Sequence, residues 1–230
     1  MNNIFDKYKR IIDKDYALYV DMINAYDHNK ADILHDTGHT LILRLKSFPL
    51  YLPLTDDVNE ALNLLEKYDV FLMIARNKEI IDAYFKKGFD GNICYQVYYD
   101  GPKLDVKYDI IKPHKKDLKL ISDSYDLGGL NEIENAYKEN RFFATYDKDE
   151  LAGFIGIHDE DSCGMLHVFE KYRQKGYGKA LESFILNYQL DRGYIPYGHV
   201  IEDNMKSLSL QKEINMKISK GRICWMWKDE

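Results

Sequence analysis

Hydrophobic residues recur along this chain in two periods. Ile11, Ile12, Tyr16, Tyr19, Met22, Ile23 and Tyr26 are spaced at roughly three and four residues, which predicts an amphipathic helix with one face on a core. Shorter runs follow. Residues 41–45 and 51–54 are apolar and of strand length, 58–68 returns to helical spacing, and 69–75 reads as another strand. Asp100-Gly101-Pro102-Lys103 is a turn signal, so a first domain is expected over 1–102 and a second over 103–230.

The second stretch is richer. A strand is expected at 106–111, helices at 113–125 and 130–140, and a hairpin of 142–146 with 151–157 across Asp147-Lys148-Asp149-Glu150. Strands are expected at 163–169 and 197–201, a helix from Ala180 and another after Asn204, and a closing strand at 223–227. Part of this order occurs twice. With Asn77 set against Asn204, Tyr84 falls on Gln211 and Gly88-Phe89 on Asn215-Met216. With a small gap, Gly91-x-Ile93-Cys94-Tyr95 matches Gly221-x-Ile223-Cys224-Trp225. Self-similarity of this kind predicts a duplicated unit, a tandem repeat.

The most specific chemistry lies in Arg173-Gln174-Lys175-Gly176-Tyr177-Gly178-Lys179-Ala180. A strand, a glycine turn and a helix N-terminus form an anion site, because the first N–H groups of a helix lack internal partners and its dipole favours negative charge there. A Walker-type loop needs more residues between its glycines and then Lys-Ser/Thr. Only Tyr177 separates Gly176 from Gly178, and Ala180 replaces the hydroxyl. A dinucleotide fingerprint needs a third glycine where Leu181 stands. The remaining pattern is Arg/Gln-x-x-Gly-x-Gly/Ala, which Arg173, Gly176 and Gly178 fit.

Composition narrows the partners. The chain is 45% hydrophobic and 30% charged with 19 tyrosines, enough for one large or two modest cores. A net charge of −6 argues against a nucleic-acid surface, while the local cluster of Lys171, Arg173, Lys175 and Lys179 suits a small polyanion. No apolar run approaches the ~20 residues of a membrane helix. The opening Met1-Asn2-Asn3-Ile4-Phe5-Asp6 lacks a charged-then-apolar leader. Cys94, Cys163 and Cys224 have no metal-type spacing. The expectation is a cytoplasmic protein with buried, reduced cysteines and no metal.

The glycine loop resembles the pyrophosphate loop of the GNAT N-acetyltransferase superfamily, and the order strand–Asn204–helix–strand resembles that family's second half. The resemblance covers most of 106–227. It implies an α/β (α+β) fold with a mixed, mostly antiparallel sheet, splayed central strands and flanking helices, preceded here by a partial repeat that lacks a coenzyme loop. It implies acetyl-CoA as co-substrate. Backbone groups of Leu166, His167 and Val168 would pair with the pantetheine arm, and N–H groups from Gln174 through Lys175, Gly176, Tyr177 and Gly178 to Lys179 would surround the pyrophosphate, with Arg173 opening the loop. Asn204, Ser207 and Gln211 would meet the arm from the helix that follows.

The reaction so implied is direct attack of an amine on the acyl thioester, which needs a base for the ammonium and a donor for the thiolate. The family's common donor is a tyrosine seven residues after the motif asparagine, where this chain has Gln211. An amide supplies no proton at neutral pH. His199 lies where ribosomal-protein alanine acetyltransferases carry a glutamate base, and His167 lies where other relatives place a carboxylate. A histidine with an ordinary pKa near 6.5 suits proton removal. Tyr84, Tyr197, Trp225 and Trp227 read as core residues, and His158, Glu160 and Asp161 as solvated residues of a hairpin tip. The layout also resembles the glycine N-acyltransferase-like branch, which implies a small-molecule amine or peptide acceptor. The first half would then be a wall of the acceptor cleft or the surface of a homodimer. A non-catalytic coenzyme A-binding or sensor module is the alternative.

Overall fold

The computed structural model describes residues 4–125 and 130–228. Residues 1–3, which open the segment read for a leader, lie outside the described residues. The chain falls into two compact units, and neither is continuous. One comprises Met1–Val97, Val200–Met205 and Lys217–Glu230, the other Tyr98–His199 and Lys206–Met216. The division expected at 102/103 was contiguous; the C-terminal strand instead belongs with the first unit.

In the first unit the single amphipathic helix expected over 11–26 is broken. Short 3-10 turns, Ile4–Tyr8 and Tyr16–Tyr19, alternate with α1 (Lys9–Ile12) and α2 (Val20–Asp27). The break falls at Asp15. Its Oδ2 accepts the N–H groups of Lys220 at 2.7 Å and Gly221 at 2.8 Å, which commits it to the C-terminal segment rather than to a helix.

Strands β1 (Ala31–Asp36), β2 (Thr40–Leu45), β3 (Tyr51–Thr55), β4 (Leu72–Ala75) and β5 (Asp90–Tyr98) follow, with α3 (Val58–Leu65) and α4 (Lys78–Lys86). β1 is an edge strand of mixed burial, which is why no apolar run announced it. α3 starts where Asp57 accepts the Glu60 N–H at 3.0 Å. Tyr84 and Phe89 meet edge to face at 4.9 Å in a core with Leu65, Met73, Ile80 and Met226. Burial pushes the Tyr84 phenol up to about 12, so it is a core side chain rather than an acid.

The C-terminal residues complete this sheet. β10 (Tyr197–Ile201), β11 (Lys217–Ile218) and β12 (Ile223–Trp227) join it in the order β1-β2-β3-β4-β12-β5-β10, with β11 beside β5. β12 has strand neighbours on both sides, and Ile223, Cys224 and Met226 are fully buried. Trp225 and Trp227 are half-buried, less enclosed than expected. The two copies of the Gly-x-Ile-Cys-aromatic pattern are therefore hydrogen-bonded neighbours. Their pairing is reciprocal, with Ile223 opposite Cys94 and Cys224 opposite Ile93. Gly91 is required by this approach: a Cβ there would lie 2.6 Å from the Trp225 carbonyl oxygen.

The second unit is an antiparallel sheet of β6 (Ile110–Ile111), β7 (Phe142–Asp147), β8 (Glu150–Ile157) and β9 (Cys163–Val168), in that order. The strand expected at 106–111 shrinks to two residues. The helix expected at 113–125 becomes a 3-10 turn, Lys115–Asp117, and α5 (Leu118–Asp123). Adjacent phenylalanines on β7 point to opposite faces. Phe142 packs with α5 and α6 (Leu130–Lys138) through Leu118, Ile121 and Ile133. Phe143 meets Phe184 and Tyr188 of α7 (Tyr177–Asp191), each at 4.9 Å. α8 (Met205–Glu213) follows β10. β9 is the last strand of the four-stranded sheet and β10 the last of the other.

Candidate functional site

The glycine turn is built as the sequence suggests. α7 begins at Tyr177, with Gly176 before it at φ +90°. Only glycine adopts that left-handed conformation without strain. Gln174 is also left-handed, at φ +60°, and left-handed residues at 174 and 176 are the kind of backbone from which a nest of N–H groups is made. Among the described residues, no protein acceptor meets the N–H groups of Gln174, Lys175, Gly176, Tyr177, Gly178 or Lys179; the first helical bond is Ala180 N–H to Gly176 O at 3.0 Å. Arg173, Gln174, Lys175 and Gly176 are exposed.

Aromatic packing holds the turn from below. Tyr108 donates its hydroxyl to the Lys175 carbonyl at 2.6 Å, and its ring stacks on Tyr177 at 4.2 Å. Tyr172 meets Tyr177 edge to face and donates to Glu150 at 2.6 Å. Tyr108 was not singled out from sequence, because a lone tyrosine before a short strand carries no periodic signal. The basic cluster is partly neutralised: Lys171 pairs with Glu150, and Lys179 with Glu213 at 3.1 Å. Both pairs are exposed, and so are open to competition by a polyanion. Lys175 lies 5.5 Å over the Tyr172 ring, and Arg173 Nε donates to the Val168 carbonyl at 3.0 Å.

β9 presents an open edge. Met165 sits at φ +54° in a bulge, where the register with β8 slips by one residue. Past the bulge, Phe169 N–H donates to Ala152 O at 3.1 Å. Antiparallel alternation then turns the backbone groups of His167 toward β8 and those of Leu166 and Val168 outward. His167 thus differs from the expectation that all three face a ligand with their backbone. Its ring is stacked on Phe154 at 5.3 Å and meets Phe169 edge to face at 4.9 Å. His199 is half-buried beside the edge of the Tyr197 ring at 5.5 Å, and Tyr197 is fully buried.

α8 contributes Ser207, half-buried, and Gln211, buried. Asn204 is exposed and falls in the first unit, whereas the glycine loop, Ser207 and Gln211 fall in the second. Gln211 Nε2 donates to Glu182 Oε1 at 3.3 Å, and Gln211 Oε1 is buried without a partner among the described residues. Burial pushes the Glu182 carboxyl up to about 7, against the lowering effect of the Gln211 hydrogen bond. Sequence reasoning passed over Glu182. A carboxylate inside the run Ala180-Leu181-Glu182-Ser183-Phe184-Ile185-Leu186 was the available signal.

The β8–β9 tip departs from the expected solvated turn. Asp161 and Ser162 are buried, and Tyr197 donates its hydroxyl to the Glu160 carbonyl. His158 Nδ1 lies 3.2 Å from Glu132 Oε1. Burial disfavours the imidazolium, but the Glu132 hydrogen bond and the charges of Glu160, Glu132 and Asp159 outweigh it and raise the His158 pKa. Burial raises the Glu160 carboxyl. All three cysteines are buried and free, and among the described residues no helix is long and apolar enough to cross a membrane.

Residues 109–214, a little under half of the chain, match the model of the Acetyltransferase (GNAT) family. No protein in a curated set matches the chain in sequence. Similar solved structures share the fold. A Drosophila protein is 15% identical with a TM-score of 0.63, over 98% of this chain and 94% of that one. An acetyltransferase from the GNAT family of Colwellia psychrerythraea is 12% identical with a TM-score of 0.52, over 85% and 84%. A GCN5-related N-acetyltransferase from Kribbella flavida is 8% identical with a TM-score of 0.54, over 92% and 96%. The mixed, mostly antiparallel fold is thus that of the GNAT proteins it resembles, and 109–214 is the part of the chain that is similar to the acetyltransferase family in sequence.

Proposed function

We propose that this chain is an N-acetyltransferase that takes acetyl-CoA as co-substrate and passes the acetyl group to the amine of a small molecule or peptide. One observation carries the reading: among the described residues, the six consecutive N–H groups from Gln174 to Lys179, at the start of α7, have no protein acceptor. A pyrophosphate supplies the acceptors they lack, and the helix dipole and Lys175 favour its charge. The outward backbone of Leu166 and the N–H of Val168 offer an added strand to an amide-bearing arm, the Val168 carbonyl being engaged by Arg173. Arg173 holds the end of β9 against the loop, and Ser207 and Gln211 are the α8-side contacts of this reading.

In the chemistry so proposed, a neutral amine attacks the thioester carbonyl, the C–S bond breaks, and a base removes the ammonium proton. We assign the base to His199. His167 is less suited, because its ring is held flat against Phe154. Gln211 cannot protonate the leaving thiolate, so water or another group does so. That replacement of a tyrosine favours a second reading, a coenzyme-binding sensor without catalysis.

The test is a screen of primary amines for coenzyme A release, with the native protein and His199→Ala. The expected result is release that His199→Ala reduces by ~100-fold or more while acetyl-CoA binding persists. Binding with no release from any amine would favour the sensor.

A further inference from the structure

Glu182 stands one helical turn after Gly178 and shares its face of α7. That face meets β9 and α8 just below the glycine loop: a Cβ on Gly178 would lie 3.6 Å from Val168 Cγ2 and 3.9 Å from Leu210 Cδ2. Glu182 is 5% exposed and Gln211 4%, joined by the 3.3 Å hydrogen bond from Gln211 Nε2. The other edge of the same amide, Gln211 Oε1, is buried with no donor among the described residues. Leaving a buried acceptor unmatched is costly, so this oxygen calls for a donor. The donor that this oxygen lacks is an N–H, and an acyl-coenzyme arm lying along the open edge of β9 carries amide N–H groups.

We infer that Glu182 is a positioning residue of the coenzyme site: its hydrogen bond fixes the Gln211 amide so that Oε1 faces the acyl-coenzyme arm and accepts an amide N–H. The inference rests on the coenzyme reading above. It also makes the site sensitive to protons. An ionised Glu182 accepts from Nε2 and leaves Oε1 facing the ligand. A protonated Glu182 donates its O–H to Oε1, and the amide then turns its NH2 outward. Among the described residues, the groups facing Glu182 are Gln211 from α8 and the Cys163 thiol from β9, which burial and the Glu182 charge hold well above its usual range. On α7 itself, Lys179 is engaged with Glu213. Binding through Oε1 favours the ionised carboxylate, so affinity rises with pH through the Glu182 transition.

Calorimetric titration with acetyl-CoA at about pH 6 and about pH 8.5 tests this in the native protein, Glu182→Gln and Gln211→Leu. The native protein should bind about fivefold more tightly at the higher pH, the value of one net hydrogen bond. Glu182→Gln should still bind, with that dependence lost. Ionisation of the coenzyme's own phosphates is common to all three proteins and cancels. Gln211→Leu keeps Glu182 but removes the amide, so it should lose the same dependence even if Glu182→Gln folds poorly. A native pH ratio retained in either variant overturns the positioning role while leaving coenzyme binding intact. Absence of binding by the native protein at both pH values overturns the coenzyme reading, and this inference with it.

Discussion

Replacing Gly176 and Gly178 singly by alanine should move stability in opposite directions. Gly176 holds φ +90°, and the nearest atom to a Cβ placed there is Tyr108 Cε2 at 3.8 Å. No clash arises, so the cost of Gly176→Ala is that of a left-handed L-residue, about 1–2 kcal/mol. Gly178 lies within α7 at an ordinary helical φ, and its added methyl would make normal contacts at 3.6 and 3.9 Å. Alanine is favoured over glycine in a helix by about 0.5–1 kcal/mol, so Gly178→Ala should be neutral or stabilising. The two variants should then differ by about 2 kcal/mol, or about 4–8 °C in thermal midpoint for a chain of this size. Circular dichroism melts without coenzyme read this directly. A Gly176→Ala protein as stable as Gly178→Ala would refute the left-handed turn, and with it the nest of N–H groups that the anion site needs.

Three further outcomes are expected. Arg76 and Asp21 form an ion pair with side chains only 2% and 3% exposed, and Gln96 Nε2 donates to Asp21 at 3.2 Å; Asp21→Asn or Arg76→Met should cost about 3–5 kcal/mol, and the double variant less than the sum, as urea melts would show. Tyr108→Phe removes the hydroxyl bond to the Lys175 carbonyl and should cost about 1 kcal/mol while weakening acetyl-CoA binding more than overall stability, a split visible by titration and melting together. Burial raises Glu182 from the ordinary 4.5 to about 7. The folded state therefore binds its proton more tightly than the unfolded chain. The stability so contributed is complete below about pH 4.5 and is lost as pH rises through about 7. Glu182→Gln should flatten that fall and melt higher than the native protein above pH 7; an unchanged stability–pH profile would contradict a buried carboxyl.

Much of the fold was written in local pattern. Hairpin β7–β8 alternates around a short turn with Lys148 at φ +58°, and the glycine spacing before α7 announces a left-handed residue and a helix start. What escaped was non-local. The Gly-x-Ile-Cys-aromatic repeat was visible as similarity, but nothing in one strand says that its copy is its neighbour, as Ile93 opposite Cys224 turns out to be. The break at Asp15 depends on Lys220 and Gly221, two hundred residues away in sequence, so helical spacing alone predicted one continuous helix. The glycine turn itself was legible, because a left-handed residue before a helix demands glycine. The direction of the His167 backbone was not, because a one-residue bulge at Met165 sets it. Glu182 was hidden for a related reason: a carboxylate in an apolar run reads as an exposed position until the partner helix carrying Gln211 is in place.

The central claim is that the turn from Arg173 to Lys179 binds an acyl-coenzyme. Thermal unfolding with and without acetyl-CoA, for the native protein and for Lys175→Glu, tests it most directly. Lys175 is exposed, so the charge reversal should leave the unliganded midpoint nearly unchanged. Ligand at about a hundred times its dissociation constant stabilises by roughly 2.7 kcal/mol, or about 5–10 °C here. That shift is expected in the native protein, and a much smaller one in Lys175→Glu at the same concentration. No shift in the native protein at millimolar acetyl-CoA would contradict it.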